Sequence, residues 1–120
     1  MPTVITSTKK MPDTHQILDH HLKSFAQGLD ALVSDYCDQS VVQLPDRTVR
    51  GLSEIRQFFS NFLESIKPGF WEAFQIQRQV IEGDIAYLVW NAKPFVVLAT
   101  DTLYVREGKI LIQTFTSFSQ

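Results

Sequence analysis

Residues Val89–Val105 read VWNAKPFVVLATDTLYV. Two apolar runs flank Asn91-Ala92-Lys93-Pro94, a connection of hairpin composition, so the stretch predicts two strands joined by a turn. Side chains alternate across a strand, and every second residue shares a face. On that count Asp101 falls with Phe95, Val97, Ala99, Leu103 and Val105, while Val96, Leu98, Thr100, Thr102 and Tyr104 form the other, more polar face. An aspartate without a task belongs with the threonines. An ionised carboxylate in apolar surroundings is costly, and proteins respond by protonating it, pairing it or opening the site to water. Asp101 therefore points to a cavity or a partner.

Upstream, Asp13 is an N-cap candidate for a helix whose stripe is Ile17, Leu18, Leu22, Phe25 and Ala26, ended by Gly28. A second short helix is expected at about 30–36, and QSVVQL (39–44) reads as a strand stopped by Pro45 and the loop DRTVRG. Leu52, Ile55, Phe58, Phe59, Phe62, Leu63 and Ile66 recur at three- and four-residue steps, which predicts an amphipathic helix over about 53–66. Four strands should follow, at roughly 70–82, 85–91, 94–106 and 109–119, joined as an antiparallel meander by EGD, NAKP and REGK. Helices can cover one face of such a sheet. The other face is also apolar, and a second copy packed through Leu98, Tyr104 and Ile112 is the simplest cover.

The chain has 120 residues, enough for one domain with a sizeable core and too few for two. Residues 1–12 read as a flexible arm and 13–120 as the domain. A formal charge of −2 and the lack of a basic stripe argue against nucleic acid as partner. No apolar run reaches signal-peptide or membrane-span length, and the single cysteine, Cys37, fits a reducing, cytoplasmic setting. Cys37 and the three histidines have no metal-ligand spacing, so no metal is expected. Asp35, Asp38 and Asp46 read as a solvated rim.

From about Asp13 onward the chain resembles the nuclear transport factor 2-like superfamily, which holds ketosteroid isomerases, SnoaL-like polyketide cyclases and small binding proteins. The resemblance rests on YCDQSVVQLP (36–45), GLSEIRQFF (51–59), VWNAKPFVVLATD (89–101) and REGKI (106–110). It implies a cone-shaped α+β domain, cystatin-like, in which three helices of the N-terminal half cover the concave face of a curved antiparallel sheet. Asp101 matches the isomerases' oxyanion-hole aspartic acid. Their base falls on Leu44, which cannot move a proton, so ordinary ketosteroid isomerisation is not expected. Their oxyanion tyrosine falls on His21, a supporting tyrosine is kept as Tyr36, another becomes Phe59, and Ser119 stands where they have a pocket tryptophan.

The expected site combines Asp101, as acid/base or oxyanion donor, with His21 on the inner stripe of the first helix. Within about 6 Å the two would favour each other's charged forms and form a proton shuttle. Pocket walls are expected from Phe58, Phe59 and Phe62 on the long helix, from Trp90, Ala99 and Leu103 on the sheet, and from Tyr36 and Leu44. The last strand, QTFTSFS, would add Phe115, Ser117 and Ser119. The implied ligand is a small apolar carbonyl compound, and the implied chemistry is that of an isomerase or cyclase without cofactor, because hydrogen bonds alone can stabilise an enolate. The alternative is a non-catalytic ligand-binding or dimerisation module of the same fold, which Leu44 favours.

Overall fold

The computed structural model describes residues 11–119. Most of the arm expected over 1–12 lies outside these residues; Met11 and Pro12 rest against Gly108. Helix α1 (Thr14–Ser24) begins at a capping box: Asp13 accepts from the Gln16 amide and Gln16 accepts from the Asp13 amide, each at 2.9 Å. Helix α2 (Leu29–Val33) follows Gly28, and strands β1 (Val41–Gln43) and β2 (Thr48–Arg50) form a hairpin that pairs Val42 with Val49. The TVR segment, expected in a loop, is thus a strand, because Val49 has an inward-facing partner. Gly51 carries the chain from β2 into helix α3 (Gly51–Ser65) at φ 80°, a conformation that disfavours side chains.

Residues 70–73, expected to open a strand, form a short helix, α4 (Phe70–Ala73). Gly69, left-handed at φ 91°, redirects the chain so that Phe70 turns inward against Trp71, Trp90 and Phe95. Strands β3 (Phe74–Glu82), β4 (Ile85–Ala92), β5 (Val96–Arg106) and β6 (Lys109–Phe118) then form the expected meander. The sheet order is β2-β1-β6-β5-β4-β3, antiparallel throughout except that β1 joins β6 in parallel. The protein is a mixed α+β domain whose helices lie on one face of a curved, unclosed sheet.

Three register irregularities mark the curve, at Ile76/Arg78, Trp90/Ala92 and Tyr104/Val105. A bulge adds a residue to one strand, bends it and sharpens its twist. The bulge beside Trp90 moves Val96 from the outer face, where plain alternation put it, to the inner side opposite Ala92. From Ala99 onward the alternation holds, and Ala99, Asp101, Leu103 and Val105 all face inward and are buried.

Two apolar clusters fill the inside. One joins α1, α2 and α3 to β1, β2 and the far half of β5 through residues such as Leu18, Leu32, Ile55 and Leu103. The other packs α4 on β4 and the start of β5 through Phe70, Leu88, Trp90 and Ala99. Among the described residues, no helix is long and apolar enough to cross a membrane.

Candidate functional site

Between the clusters lies a cavity of about 270 Å³. Its walls are Leu18, His21, Leu22, Phe25 and Ala26 of α1 and its C-terminal end, the α3 phenylalanines 58, 59 and 62, Phe70 and Trp71 of α4, and the inner faces of β3–β6. Asp101 and Gln113 bring carboxylate and amide groups into an otherwise largely aromatic lining.

Asp101 sits in mid-strand, opposite Leu88 on β4 and Phe115 on β6. The Trp90 indole N–H donates to its Oδ1 at 2.8 Å, and the Gln113 Nε2–H donates to its Oδ2 at 2.9 Å. The Gln113 Oε1 in turn accepts from the Tyr36 hydroxyl. Donation thus converges on the carboxylate from both sides, and each oxygen keeps a lone pair free. Burial raises the Asp101 pKa to about 6, the two hydrogen bonds holding it down against that trend. At pH 7 the group is mainly a carboxylate, poised to take a proton.

His21 is buried at 4% exposure, packed edge-on against Phe25, Tyr36 and Phe59. Burial, helped by the neighbouring His20, lowers its pKa to about 4, so the ring is neutral near pH 7. Among the described residues, its Nδ1 is buried without a hydrogen-bond partner. A buried orphan N–H is rarer than a buried unfilled acceptor, which favours the tautomer with the proton on Nε2. His21 and Asp101 line the same cavity, but Asp101 is held by Trp90 and Gln113 instead of by His21. The expected shuttle, in which each keeps the other charged, is therefore replaced by a neutral imidazole and a separately held carboxylate. Desolvation of the ring outweighs any benefit of charging it.

Of the other expected wall residues, Phe58, Phe59, Phe62, Trp90, Leu103 and Phe115 line the cavity. Tyr36 lies behind it and reaches Asp101 through Gln113. Leu44, past the end of β1, packs against the first cluster, and Ala99 is buried in the second. Ser117 and Ser119 are exposed and lie outside the lining, because the end of β6 runs beyond the cover of the helices. Asp35, expected on a solvated rim, is buried and accepts from the His20 Nδ1–H at 2.7 Å; Asp38 and Asp46 are exposed. Among the described residues, no group of three metal-ligating side chains forms.

Gln113 was not foreseen, although the signal was of the same kind as that of Asp101: a polar side chain two residues before an inward Phe115. Replacing it by methionine keeps the length but removes the donor to Asp101 and leaves the buried Tyr36 hydroxyl without an acceptor. Gln113→Met should raise the Asp101 pKa above about 6, read by carboxyl carbon NMR titration. It should also cost roughly 1–3 kcal/mol in denaturant unfolding.

No family model and no curated protein matches the chain. Solved structures do. An NTF-2 like protein of unknown function from Burkholderia xenovorans superposes with a TM-score of 0.71 at 18% identity, over 89% of this chain and 84% of that one. A ketosteroid isomerase-like protein from Erwinia carotovora gives 0.62 at 15%, over 89% and 95%. The chain has the nuclear transport factor 2-like fold. A de novo designed protein with a curved β-sheet is as similar, with a TM-score of 0.69 at 14% identity over 88% of this chain and 84% of that one. The nuclear transport factor 2-like fold is thus a scaffold, and any activity must be argued from the cavity.

Proposed function

We propose that the protein is a SnoaL-like small-molecule enzyme that moves a proton on an apolar carbonyl compound. The observation that carries this reading is a carboxylate with a pKa of about 6 in the wall of an aromatic cavity, held by two donors. The substrate's rings pack against the aromatic walls. The Nε2–H of neutral His21 donates to the carbonyl oxygen, and a free lone pair of Asp101 removes a proton from the adjacent carbon. Charge that develops on oxygen is met by a donor held in a largely apolar, buried wall, where such a donor is more effective than in water. The proton held by Asp101 then returns to a different carbon, which isomerises the compound, or the enolate attacks a second carbonyl, closing a ring, and the alkoxide so formed takes the proton back from Asp101. In this reading Asp101 is the base, the role that Leu44 cannot fill.

Exchange of the α-protons of a small cyclic ketone in D₂O, followed by NMR, tests the reading. The rate constant kcat/KM should rise through a single ionisation near pH 6 and stay level to about pH 9, since His21 is already neutral above about 4. Exchange no faster than in buffer would favour the second reading, a binding or dimerisation module, for which the apolar Leu44 at the isomerases' base position speaks.

Dimerisation through the sheet belongs to either reading. The outer face carries Leu98, Ile112 and Phe118 at 42%, 41% and 62% exposure, an apolar load that a monomer rarely shows to water. Sedimentation at micromolar concentration should give about 28 kDa, twice the 13.8 kDa chain. The double variant Leu98→Lys, Ile112→Lys should sediment as a monomer.

A further inference from the structure

We propose that the cavity binds an apolar amine in its protonated form, which donates an N–H to Asp101 and lays its hydrocarbon part against the aromatic wall. The inference stands on the charge and the lining of the cavity. It needs no proton transfer on carbon, and so goes beyond the acid/base reading without depending on it.

Among the described residues, Asp101 is the one acid in the lining, and no lysine or arginine joins it there. The other ionisable group, His21, is neutral near pH 7. No ion pair among the described residues includes Asp101. Its two donors, Trp90 and Gln113, are themselves neutral, and each carboxylate oxygen keeps a lone pair free. A buried charge is ordinarily paired. Here the protein supplies hydrogen bonds to a carboxylate that is only 9% exposed, but no opposite charge. A ligand that brings the positive charge gains the pairing and a charge-assisted hydrogen bond together.

The wall decides which kind of cation fits. Nine phenylalanine and tryptophan side chains line the cavity. Phe115 lies across from Asp101 on β6 and stacks nearly parallel with Trp90, at 13° between the ring planes. A nitrogen bonded to the carboxylate therefore stands beside these two rings. Aromatic rings attract a cation over their faces, and they also cover its apolar part. A metal ion such as magnesium or calcium needs several oxygen ligands, and among the described residues no group of three metal-ligating side chains forms. One carboxylate in an aromatic wall thus fits a hydrophobic ammonium. Under the acid/base reading such an amine occupies the base and inhibits exchange. Under the binding-module reading it is the ligand itself.

Calorimetric titration with two near-isosteric pairs tests this: 2-naphthylmethylamine against 2-naphthylmethanol, and phenethylamine against phenethyl alcohol. Each pair shares its shape and a hydrogen-bond donor and differs in charge. At about pH 7.5 each amine should bind at least about tenfold more tightly than its alcohol. Asp101→Asn, checked for folding by its thermal transition, should reduce that ratio by at least about tenfold.

If the variant does not fold, pH makes the same comparison in the wild type. Strands β4 and β6 face Asp101 with Leu88, Trp90, Gln113 and Phe115, none of which titrates. His21 stays neutral above about 4, and the Tyr36 phenol, pushed well above its ordinary range by burial, keeps its proton. Between about pH 7.5 and 5 the amines stay charged, so the ratio follows Asp101. It should fall about tenfold as the carboxylate takes up its proton near pH 6. Equal affinity within both pairs, or no binding of either amine, would overturn the inference. So would a preference that survives a folded Asp101→Asn or the change to about pH 5. An amine preference without α-proton exchange on β-tetralone leaves the ammonium site standing and removes the acid/base reading. Exchange on β-tetralone that neither amine inhibits does the reverse.

Discussion

Asp101→Asn should slow α-proton exchange on β-tetralone by about a hundred- to ten-thousand-fold, the range that a positioned general base contributes. The substitution is close to isosteric, and the surrounding network can adapt to it. The Trp90 N–H still finds an oxygen. The new amide N–H can donate to Gln113 if that side chain turns over, and the turned Gln113 can donate to the Tyr36 hydroxyl. Only the tyrosine proton loses its acceptor, at a cost of about 1–3 kcal/mol. Against this stands relief from ionising a buried carboxyl. A pKa of about 6, against an ordinary 3.8, corresponds to about 3 kcal/mol at neutral pH. The variant should therefore unfold at the same denaturant concentration as the wild type or a higher one at pH 7. A folded variant that still exchanges protons at the wild-type rate would make Asp101 a structural carboxyl and end the enzymatic reading.

The second large effect is hidden in the wild type, because the two buried titratable groups of the cavity oppose each other. Asp101 has a folded pKa of about 6, above 3.8, so the folded state holds its proton more tightly. Its contribution is fully present below pH 3.8 and is lost as pH rises through about 6. His21 has a folded pKa of about 4, below 6.5, so its contribution is present above pH 6.5 and is lost as pH falls toward about 4. Each amounts to about 3 kcal/mol, and between pH 4 and 6 the two slopes cancel. Denaturant unfolding across this window should uncover them separately. Relative to the double variant, which cancels the contribution of all other groups, His21→Leu should lose about 3 kcal/mol between pH 4 and 6.5, and Asp101→Asn should gain about as much. A flat curve for either single variant relative to the double variant would mean that the group it retains is not desolvated in the folded protein.

Much of this was legible in the chain because periodicity is local. The apolar steps from Leu52 to Ile66 specify a one-sided helix, the three short polar connections specify a meander, and the alternation from Ala99 to Val105 puts Asp101 inside. His21 could be placed on the inner stripe of α1 for the same reason. Alternation fails where pairing partners differ in length: the bulge opposite Trp90 turns Val96 inward, and nothing within VWNAKPFVV announces it. The parallel pairing of β1 with β6 and the strand character of Thr48–Arg50 arise from partners distant in the chain or from a short hairpin with weak composition signals. The chemistry of the site was decided later still. Whether Asp101 is paired with His21 or with Trp90 and Gln113, and whether Asp35 is a rim charge or a buried acceptor for His20, depends on packing between elements far apart in sequence. Residue types and spacing fix which faces are apolar, because water acts on each segment separately. Only the assembled fold determines which polar groups meet inside and how far burial moves their protons, because both follow from the company that distant segments keep.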